Sequence, residues 1–240
     1  MSFDEETIIL RWFTLKDANS SSIAALLSIL DETERSRATR FRFERDRFAY
    51  VAAHALKRSL LAKHSSSAPQ ELRFTSGSHG KPELVAEQND RGLRFSISHC
   101  AGMVAVAMLV GADVGIDVES SRREWSLDVA ESFLSAEELA AMLELSEPAR
   151  ARALASTWTL KEAFVKAIGT GLSHPLDSLT MRPQPLSIGF ARLDAGEDRD
   201  WSFRHYQPDR EHLIALAVRR PAAKVDANAI SWQPDRFDVR

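Results

Sequence analysis

Two spacings of hydrophobic residues alternate along this chain, one helical and one extended. Apolar residues recur with helical spacing over residues 22–30 and 40–63, the second stretch as one long helix or two shorter ones. Short extended segments follow, and the last three of them end at Cys100, Val110 and Glu119. The apolar run 103–110 is about half the length of a membrane-spanning helix or less, so it predicts a buried strand.

These last three segments are joined by very short connections. Two residues separate the first pair and three separate the second pair, which predicts an antiparallel meander. In a meander the first and third strands run the same way, so their C-terminal ends share one edge of the sheet. We therefore expect His99 and Glu119 at one edge, roughly 10 Å apart.

The second half of the chain repeats the order of helices followed by strands. Helical spacing over 126–143 contains a Ser-x-x-Glu capping-box pattern, and a second helical stretch, 150–169, ends in glycine. A shift of 108 residues aligns Tyr50 with Trp158 and the run VAVAML with HLIALA. The pattern predicts an α+β fold of two pseudo-symmetric halves, 1–112 and 113–240, with a site between them.

Composition narrows the class of protein. With 240 residues, 44% hydrophobic, 27% charged and a net charge of -3, the chain is typical of a globular protein without a global field that would attract nucleic acid. The acidic start, MSFDEETIIL, lacks a signal-peptide pattern, so we expect a cytoplasmic protein. A single cysteine excludes an internal disulfide, and the seven histidines lack zinc-site spacing. A hard cation held by carboxylates remains open.

The segment VGIDVE contains two acids on one face of a strand. Asp117 and Glu119 are two residues apart, so in an extended chain their side chains point the same way. If partly buried, they would resist ionisation unless a cation lay between them, which favours a metal site. The alternative is that both face water at a sheet edge.

The segment STWTLKEAFVKAIG embeds charges in an apolar helix. Glu162, Lys161 and Lys166 have apolar neighbours on nearly every side, which indicates a buried helix with charges directed into a cleft. Such a cleft would suit an anionic ligand with a metal ion. The alternative is a surface pair between Glu162 and Lys166, with Lys161 extending to water.

Three other segments are weaker candidates. In SISHC, neighbouring side chains point to opposite faces, which argues against a Ser/His or Cys/His nucleophile and leaves phosphate binding or a simple hairpin corner. Six arginines between Arg35 and Arg47 form a solvated face, a nucleic-acid patch or, for one or two of them, a contact with a phosphate of a small ligand. Lys81, in the GKP segment, by itself indicates only a turn.

In order, the segments GKPEL, FSISHC, GIDVE and WTLKEAFVKAIGTGL resemble the motif series of the surfactin-type, two-lobed 4′-phosphopantetheinyl transferases, from about Arg35 to Thr180. The resemblance implies coenzyme A in a cleft between two pseudo-symmetric halves. It implies Mg²⁺ on the coenzyme A pyrophosphate, held by Asp117, Glu119 and Glu162.

The same resemblance assigns the basic and polar candidates to phosphate groups. Those expected to contact the phosphates of coenzyme A are Lys161, Lys166, Ser98, His99, Lys81 and, for the 3′-phosphate, Arg37 or Arg47.

The implied reaction is attack by a serine hydroxyl of an acyl or peptidyl carrier protein on the β-phosphate of coenzyme A, releasing 3′,5′-ADP. Asp117, Glu162 and Lys166 would be catalytic, with Glu162 or a metal-bound water as the base. The alternatives are a non-catalytic module that binds coenzyme A or a carrier protein, and a generic Mg²⁺-dependent nucleotide enzyme. We expect a monomer, because the internal repeat supplies a pseudo-dimer interface, and neither a membrane nor a nucleic acid partner.

Overall fold

The computed structural model describes residues 7–15, 20–77, 80–183, 186–190 and 200–220. These residues divide into two compact units, the first containing 7–77 and 82–111 and the second containing 80–81 and 112–220.

The first unit is a three-stranded antiparallel sheet with a long helix packed on it. Its elements are β1 (Ile9–Thr14), α1 (Ser20–Ile29), α2 (Glu32–Ala38), α3 (Glu44–Ala62), β2 (Phe74–Ser76), β3 (Pro82–Leu84), β4 (Leu93–Cys100) and β5 (Met103–Val110). The sheet order is β1-β5-β4, and β2 pairs with β3 as a separate hairpin. Residues Met103 to Leu109 are almost fully buried, which confirms the buried strand predicted at 103–110.

Of the two strand pairings in the predicted meander, the first is confirmed and the second is wrong. β4 and β5 pair as an antiparallel hairpin, with Cys100 opposite Met103. The following strand does not join this sheet, because β1 occupies the other edge of β5, with Phe13 opposite Val104. The sequence pattern missed β1, so it left that edge of β5 open for the wrong partner. The expected shared edge of His99 and Glu119 therefore does not exist, since the two residues lie in different sheets.

The second unit has the same order of elements. They are β6 (Val114–Ser120), α4 (Leu127–Ala130), α5 (Ala136–Leu143), α6 (Glu147–Ile168), β7 (Leu179–Pro183), β8 (Leu186–Phe190), β9 (Trp201–Tyr206) and β10 (His212–Arg219). The sheet order is β6-β10-β9, with β7 and β8 as a separate hairpin. In each unit the first strand, the last strand and the one before it build the sheet, so the predicted repeat and the α+β class are confirmed.

Local signals in the second unit act as predicted. Ser135 caps α5 through the amide of Glu138, and the Glu138 carboxylate accepts from the Ser135 amide, which completes the capping box. Gly169 ends α6 in the left-handed region with φ of 77°, where glycine has no steric penalty. Helical spacing over 126–143 yields α4 and α5 with a break at 131–135 instead of one helix.

A buried ionic network joins α2 to α3 in the first unit. Glu34, only 7% exposed, accepts hydrogen bonds from Lys57 Nζ at 2.9 Å and Arg58 Nε at 2.5 Å and pairs with His54 Nδ1 at 2.7 Å. Arg58 also pairs with Asp31, the N-cap of α2. The predicted helical stretch 40–63 thus becomes α3, with the short α2 held against it by charges.

No helix within the described ranges is long and apolar enough to cross a bilayer. The monomeric state and the placement of an active site between the two halves stay predictions.

Candidate functional site

The backbones of β6 and α6 approach each other at Gly115. A Cβ atom at this position would lie 1.9 Å from the carbonyl oxygen of Ala163 and 2.4 Å from the amide nitrogen of Ala167, so only glycine fits. Because side chains alternate along a strand, Asp117 and Glu119 project from the same face of β6 as the α-hydrogens of Gly115 that meet α6. The GIDVE segment therefore presents its two acids toward the helix that contains Glu162 and Lys166.

Asp117 and Lys166 form an ion pair between β6 and α6. Lys166 Nζ donates to Asp117 Oδ1 at 2.6 Å, while Asp117 is 5% exposed and the Lys166 side chain 28% exposed. A buried carboxylate needs such a partner, since a charge loses its hydration on burial. The alternative of an ion pair within the helix between Glu162 and Lys166 is therefore not the arrangement observed.

Glu162 lies one turn before Lys166 on α6 and is half-buried. Its Oε1 is buried and accepts no hydrogen bond from the part of the chain that the structure describes. Burial raises the pKa of Glu162; Lys166 opposes this rise, and the negative charges of Asp117 and Glu119 add to it. A carboxylate oxygen in this environment would be stabilised by a cation.

Glu119 is held by two donors that the motifs did not indicate. Its Oε1 accepts from Trp158 Nε1 at 2.8 Å and from Arg123 Nη1 at 2.5 Å. Burial and the charge of Asp117 raise the pKa of Glu119, while Arg123 and Trp158 act in the opposite direction. The side chain is thus directed to Arg123 and Trp158.

The donor set fits Mg²⁺ as a site that a substrate completes. Within the described ranges, no three His, Cys, Asp or Glu side chains stand as a ready-made metal site, and Glu119 faces Arg123. Mg²⁺, however, binds through one or two carboxylates together with water and substrate phosphate oxygens. Asp117 and Glu162 supply that number of carboxylates, and the buried Oε1 of Glu162 is a suitable hard oxygen donor.

The structure contradicts the phosphate contact predicted for Lys161. Its ammonium is fully buried and donates to Glu138 Oε2 at 2.5 Å and to the carbonyls of Phe133 at 2.7 Å, Leu176 at 2.9 Å and Leu179 at 2.7 Å. Burial lowers the pKa of Lys161, and the charge of Glu138 counteracts that effect. Because its three N–H donors already serve four buried oxygens, Lys161 has a structural role and is not available to a ligand.

Lys81, from the GKP segment, lies at the C-terminal end of α6. Its ammonium donates to the carbonyl of Ala167 at 2.6 Å and to that of Val114 at 3.2 Å. A cation at this position interacts favourably with the helix dipole. The predicted phosphate contact of Lys81 stays a prediction, with two of its three donors used by these carbonyls.

The remaining predicted residues belong to the first unit. On β4, Ser98 is buried and His99 is exposed, so the structure places their side chains on opposite faces and does not bring them together. Arg37 stacks on the ring of Tyr50 at 5.6 Å and lines a surface cavity of about 680 Å³. Arg47 pairs with Glu44 at 3.2 Å. The phosphate contacts predicted for these four residues stay predictions.

Both units match families of transferases. Residues 4–110 match the model of the "4'-phosphopantetheinyl transferase, N-terminal" family, and residues 113–217 match the "4'-phosphopantetheinyl transferase superfamily". A phosphopantetheinyl transferase of Thraustochytrium sp. is 31% identical over 225 residues, which cover 88% of this chain and 77% of the relative. The chain belongs to the 4′-phosphopantetheinyl transferase superfamily. The family resemblance read from the motifs is confirmed.

Two further relatives extend over most of this transferase. The 4′-phosphopantetheinyl transferase HetI of Nostoc sp. is 28% identical over 224 residues, or 93% of this chain and 89% of the relative. The 4′-phosphopantetheinyl transferase ffp of Bacillus subtilis is 27% identical over 209 residues, or 87% of this chain and 90% of the relative. The predicted class of enzyme, one that transfers a 4′-phosphopantetheinyl group, is thereby confirmed.

Sequence reasoning missed two residues of the candidate site. Arg123 lies beyond the end of β6, and its spacing from Glu119 suggests no contact because the intervening chain is not helical. Trp158 belongs to the recognised motif, but nothing in the motif shows that its indole N–H binds an acid on another element. Only the packing of α6 on β6 reveals this contact.

Proposed function

We propose that this transferase moves the 4′-phosphopantetheine group of coenzyme A to a serine hydroxyl of an acyl or peptidyl carrier protein, with Mg²⁺ as the metal. The serine oxygen would form a bond to the β-phosphorus while the bond to the bridging pyrophosphate oxygen breaks and 3′,5′-ADP leaves. The observation that supports the proposal best is the pairing of buried Asp117 with Lys166 next to Glu162, whose buried Oε1 accepts no described hydrogen bond.

Asp117 and Glu162 would hold the metal, with Glu119 as the third predicted ligand. When bound, Mg²⁺ would neutralise charge on the pyrophosphate. Lys166 would release Asp117 to the metal and place its ammonium near the charge that develops on the leaving phosphate. The role of the site is then mainly to position and neutralise the reacting groups.

Glu162 is our candidate for the base that accepts the proton of the carrier serine. Its Oε1 is the oxygen assigned to the metal above, so the other carboxylate oxygen, Oε2, would take the proton. Its partial exposure leaves a path for the attacking hydroxyl.

His99, Ser98, Lys81 and either Arg37 or Arg47 are proposed to contact the phosphate groups of coenzyme A. Exposure supports His99, and the cavity beside Arg37 supports an anion at that arginine, since a guanidinium matches phosphate geometry. We further propose that the transferase works as a monomer in the cytoplasm, which size-exclusion chromatography with light scattering and cell fractionation would test.

The deciding experiment is the intact mass of a purified apo carrier protein after incubation with the transferase, coenzyme A and Mg²⁺. We expect a gain of one phosphopantetheine, absent with EDTA and absent when the carrier serine is replaced by alanine. Asp117→Asn and Glu162→Gln should abolish the gain. Glu124→Gln, which removes the same charge from an exposed position nearby, should not.

The same assay separates the alternatives. No mass gain with fatty-acid, polyketide or peptide carriers, while coenzyme A still binds, would favour a non-catalytic binding module. Turnover of another nucleotide without coenzyme A would favour a generic Mg²⁺-dependent enzyme. Wild-type rates in folded Asp117→Asn protein would refute the metal assignment.

A further inference from the structure

Two cations of the chain itself occupy the acidic site. Lys166 pairs with Asp117 at 2.6 Å, and Arg123 pairs with Glu119 at 2.5 Å. With Glu162, the cluster has three carboxylates and two cations, so it is close to neutral before any metal binds.

Arg123 is held firmly in this position. Its guanidinium lies 4.1 Å from the ring centre of Trp125 and 5.2 Å from that of Trp158, both within the range of cation–π attraction. The two rings pack on each other at 5.6 Å and on Phe133 at 5.9 and 5.0 Å, so the surface under Arg123 is a cluster of three packed rings.

The Glu119 carboxylate is correspondingly restrained. Arg123 and Trp158 donate to the same oxygen, Oε1, and the Glu119 side chain is only 13% exposed. A divalent cation that takes Oε1 of Glu119 as a ligand must therefore displace these donors, and one that takes the other oxygen must bind next to the positive charge of the guanidinium.

We propose that Arg123 is a positioning residue that competes with the divalent cation for Glu119 and thereby sets the metal affinity of the site; this rests on the proposed function. This competition keeps the metal affinity of the enzyme low when coenzyme A is absent. The pyrophosphate of coenzyme A supplies the additional oxygen ligands that overcome it, so metal and substrate bind cooperatively.

The test is a titration of the full chain with Mn²⁺ as the probe, without coenzyme A, by isothermal calorimetry and by the electron paramagnetic resonance signal of free Mn²⁺. Arg123→Gln should bind Mn²⁺ about two- to ten-fold more tightly than wild type, as expected for the loss of one partly exposed ion pair. Arg123→Lys keeps the cation and should stay closer to wild type.

Arg122→Gln is the matched control. Arg122 is the adjacent residue, is 75% exposed and pairs with Glu211 instead of a site acid, so the variant removes the same charge from the same segment. It should leave Mn²⁺ affinity unchanged. Circular dichroism melting checks that every variant is folded, which the 40% exposure of Arg123 favours.

A second titration, with coenzyme A present, examines the cooperativity. Coenzyme A should increase Mn²⁺ affinity more in wild type than in Arg123→Gln, because the variant keeps Lys166 on Asp117 but has lost the competitor on Glu119. Unchanged or weaker Mn²⁺ binding in Arg123→Gln, or an equal gain in Arg122→Gln, would overturn the inference while leaving the metal site intact. Absence of Mn²⁺ binding in both wild type and Arg123→Gln, even with coenzyme A, would refute the proposed metal site itself.

Discussion

Replacement of Lys161 by methionine separates a structural lysine from a ligand-binding one. Methionine has a similar length but no charge, so Lys161→Met leaves the Glu138 carboxylate buried at 4% exposure without its cation. Three backbone carbonyls lose the same donor. The adjacent residue, Glu162, belongs to the candidate site, and its position depends on the correct packing of α6.

The expected loss follows from the burial of this ion pair. Removal of one partner from a buried pair costs about 3–5 kcal/mol, because the other charge stays in a low-dielectric environment. For a chain of this size each kcal/mol lowers the melting temperature by about 2–4 °C, so we expect a decrease of about 6–20 °C. Activity should fall in proportion to the folded fraction.

Urea unfolding followed by circular dichroism, with coenzyme A kinetics on the folded protein, tests this reasoning. Lys166→Met is the comparison, because that side chain is 28% exposed and pairs with the site acid Asp117. It should lose about 1–2 kcal/mol of stability but nearly all turnover. Lys161→Met/Glu138→Gln should regain part of the stability, since the double change removes the unpaired charge.

The refuting result is specific. A Lys161→Met protein with a wild-type urea midpoint and a raised KM for coenzyme A would show that Lys161 binds phosphate after all, and that the buried network contributes nothing measurable.

Three further predictions concern other parts of the molecule. Gly115→Ala should prevent stable folding, because its Cβ would overlap the backbone of α6. Gly92 has open space around it and a φ of 65°, so Gly92→Ala should lower the free energy of unfolding by only about 1–2 kcal/mol. Thermal melting of both variants measures the difference. Burial by itself would raise the pKa of Glu34. The hydrogen bond with His54 and the basic neighbours Lys57 and Arg58 have the larger, opposite effect, so the pKa lies well below its ordinary 4.5. Its contribution to stability is therefore present above pH 4.5 and lost as pH falls, and Glu34→Gln should reduce the urea midpoint at pH 7 and flatten its decline in acid. Arg37→Gln should raise the KM for coenzyme A but not for 3′-dephospho-coenzyme A; equal effects on both substrates would exclude a 3′-phosphate contact.

Local patterns were sufficient for much of the fold. Hydrophobic spacing located α6 and β5, and turn chemistry located the end of α6 at Gly169 and the start of α5 at Ser135. These features depend on residues close together in sequence, so they can be predicted from the local sequence alone. The absence of β1 from the prediction shows the limit, because one missed strand changed the partner of β5.

Strand pairing was decided only by the tertiary structure. β6 pairs with β10, with Asp117 opposite Ala215, and not with the strand that directly precedes it. Nothing in the short connection after Val110 distinguishes a hairpin from a crossing into a new sheet. The choice depends on which edges are already occupied, and that is a property of the whole chain.

The sequence by itself determined the family, the repeat of helices and strands, and the common face of Asp117 and Glu119, since a strand has a period of two. Only the tertiary structure decided which lysine pairs with an acid of the candidate site. Lys161 and Lys166 are five residues apart and so lie about 140° apart around the helix, and α6 is apolar on nearly all sides. The packing of α6 against β6 directs Lys166 to Asp117 and leaves Lys161 in the interior with Glu138.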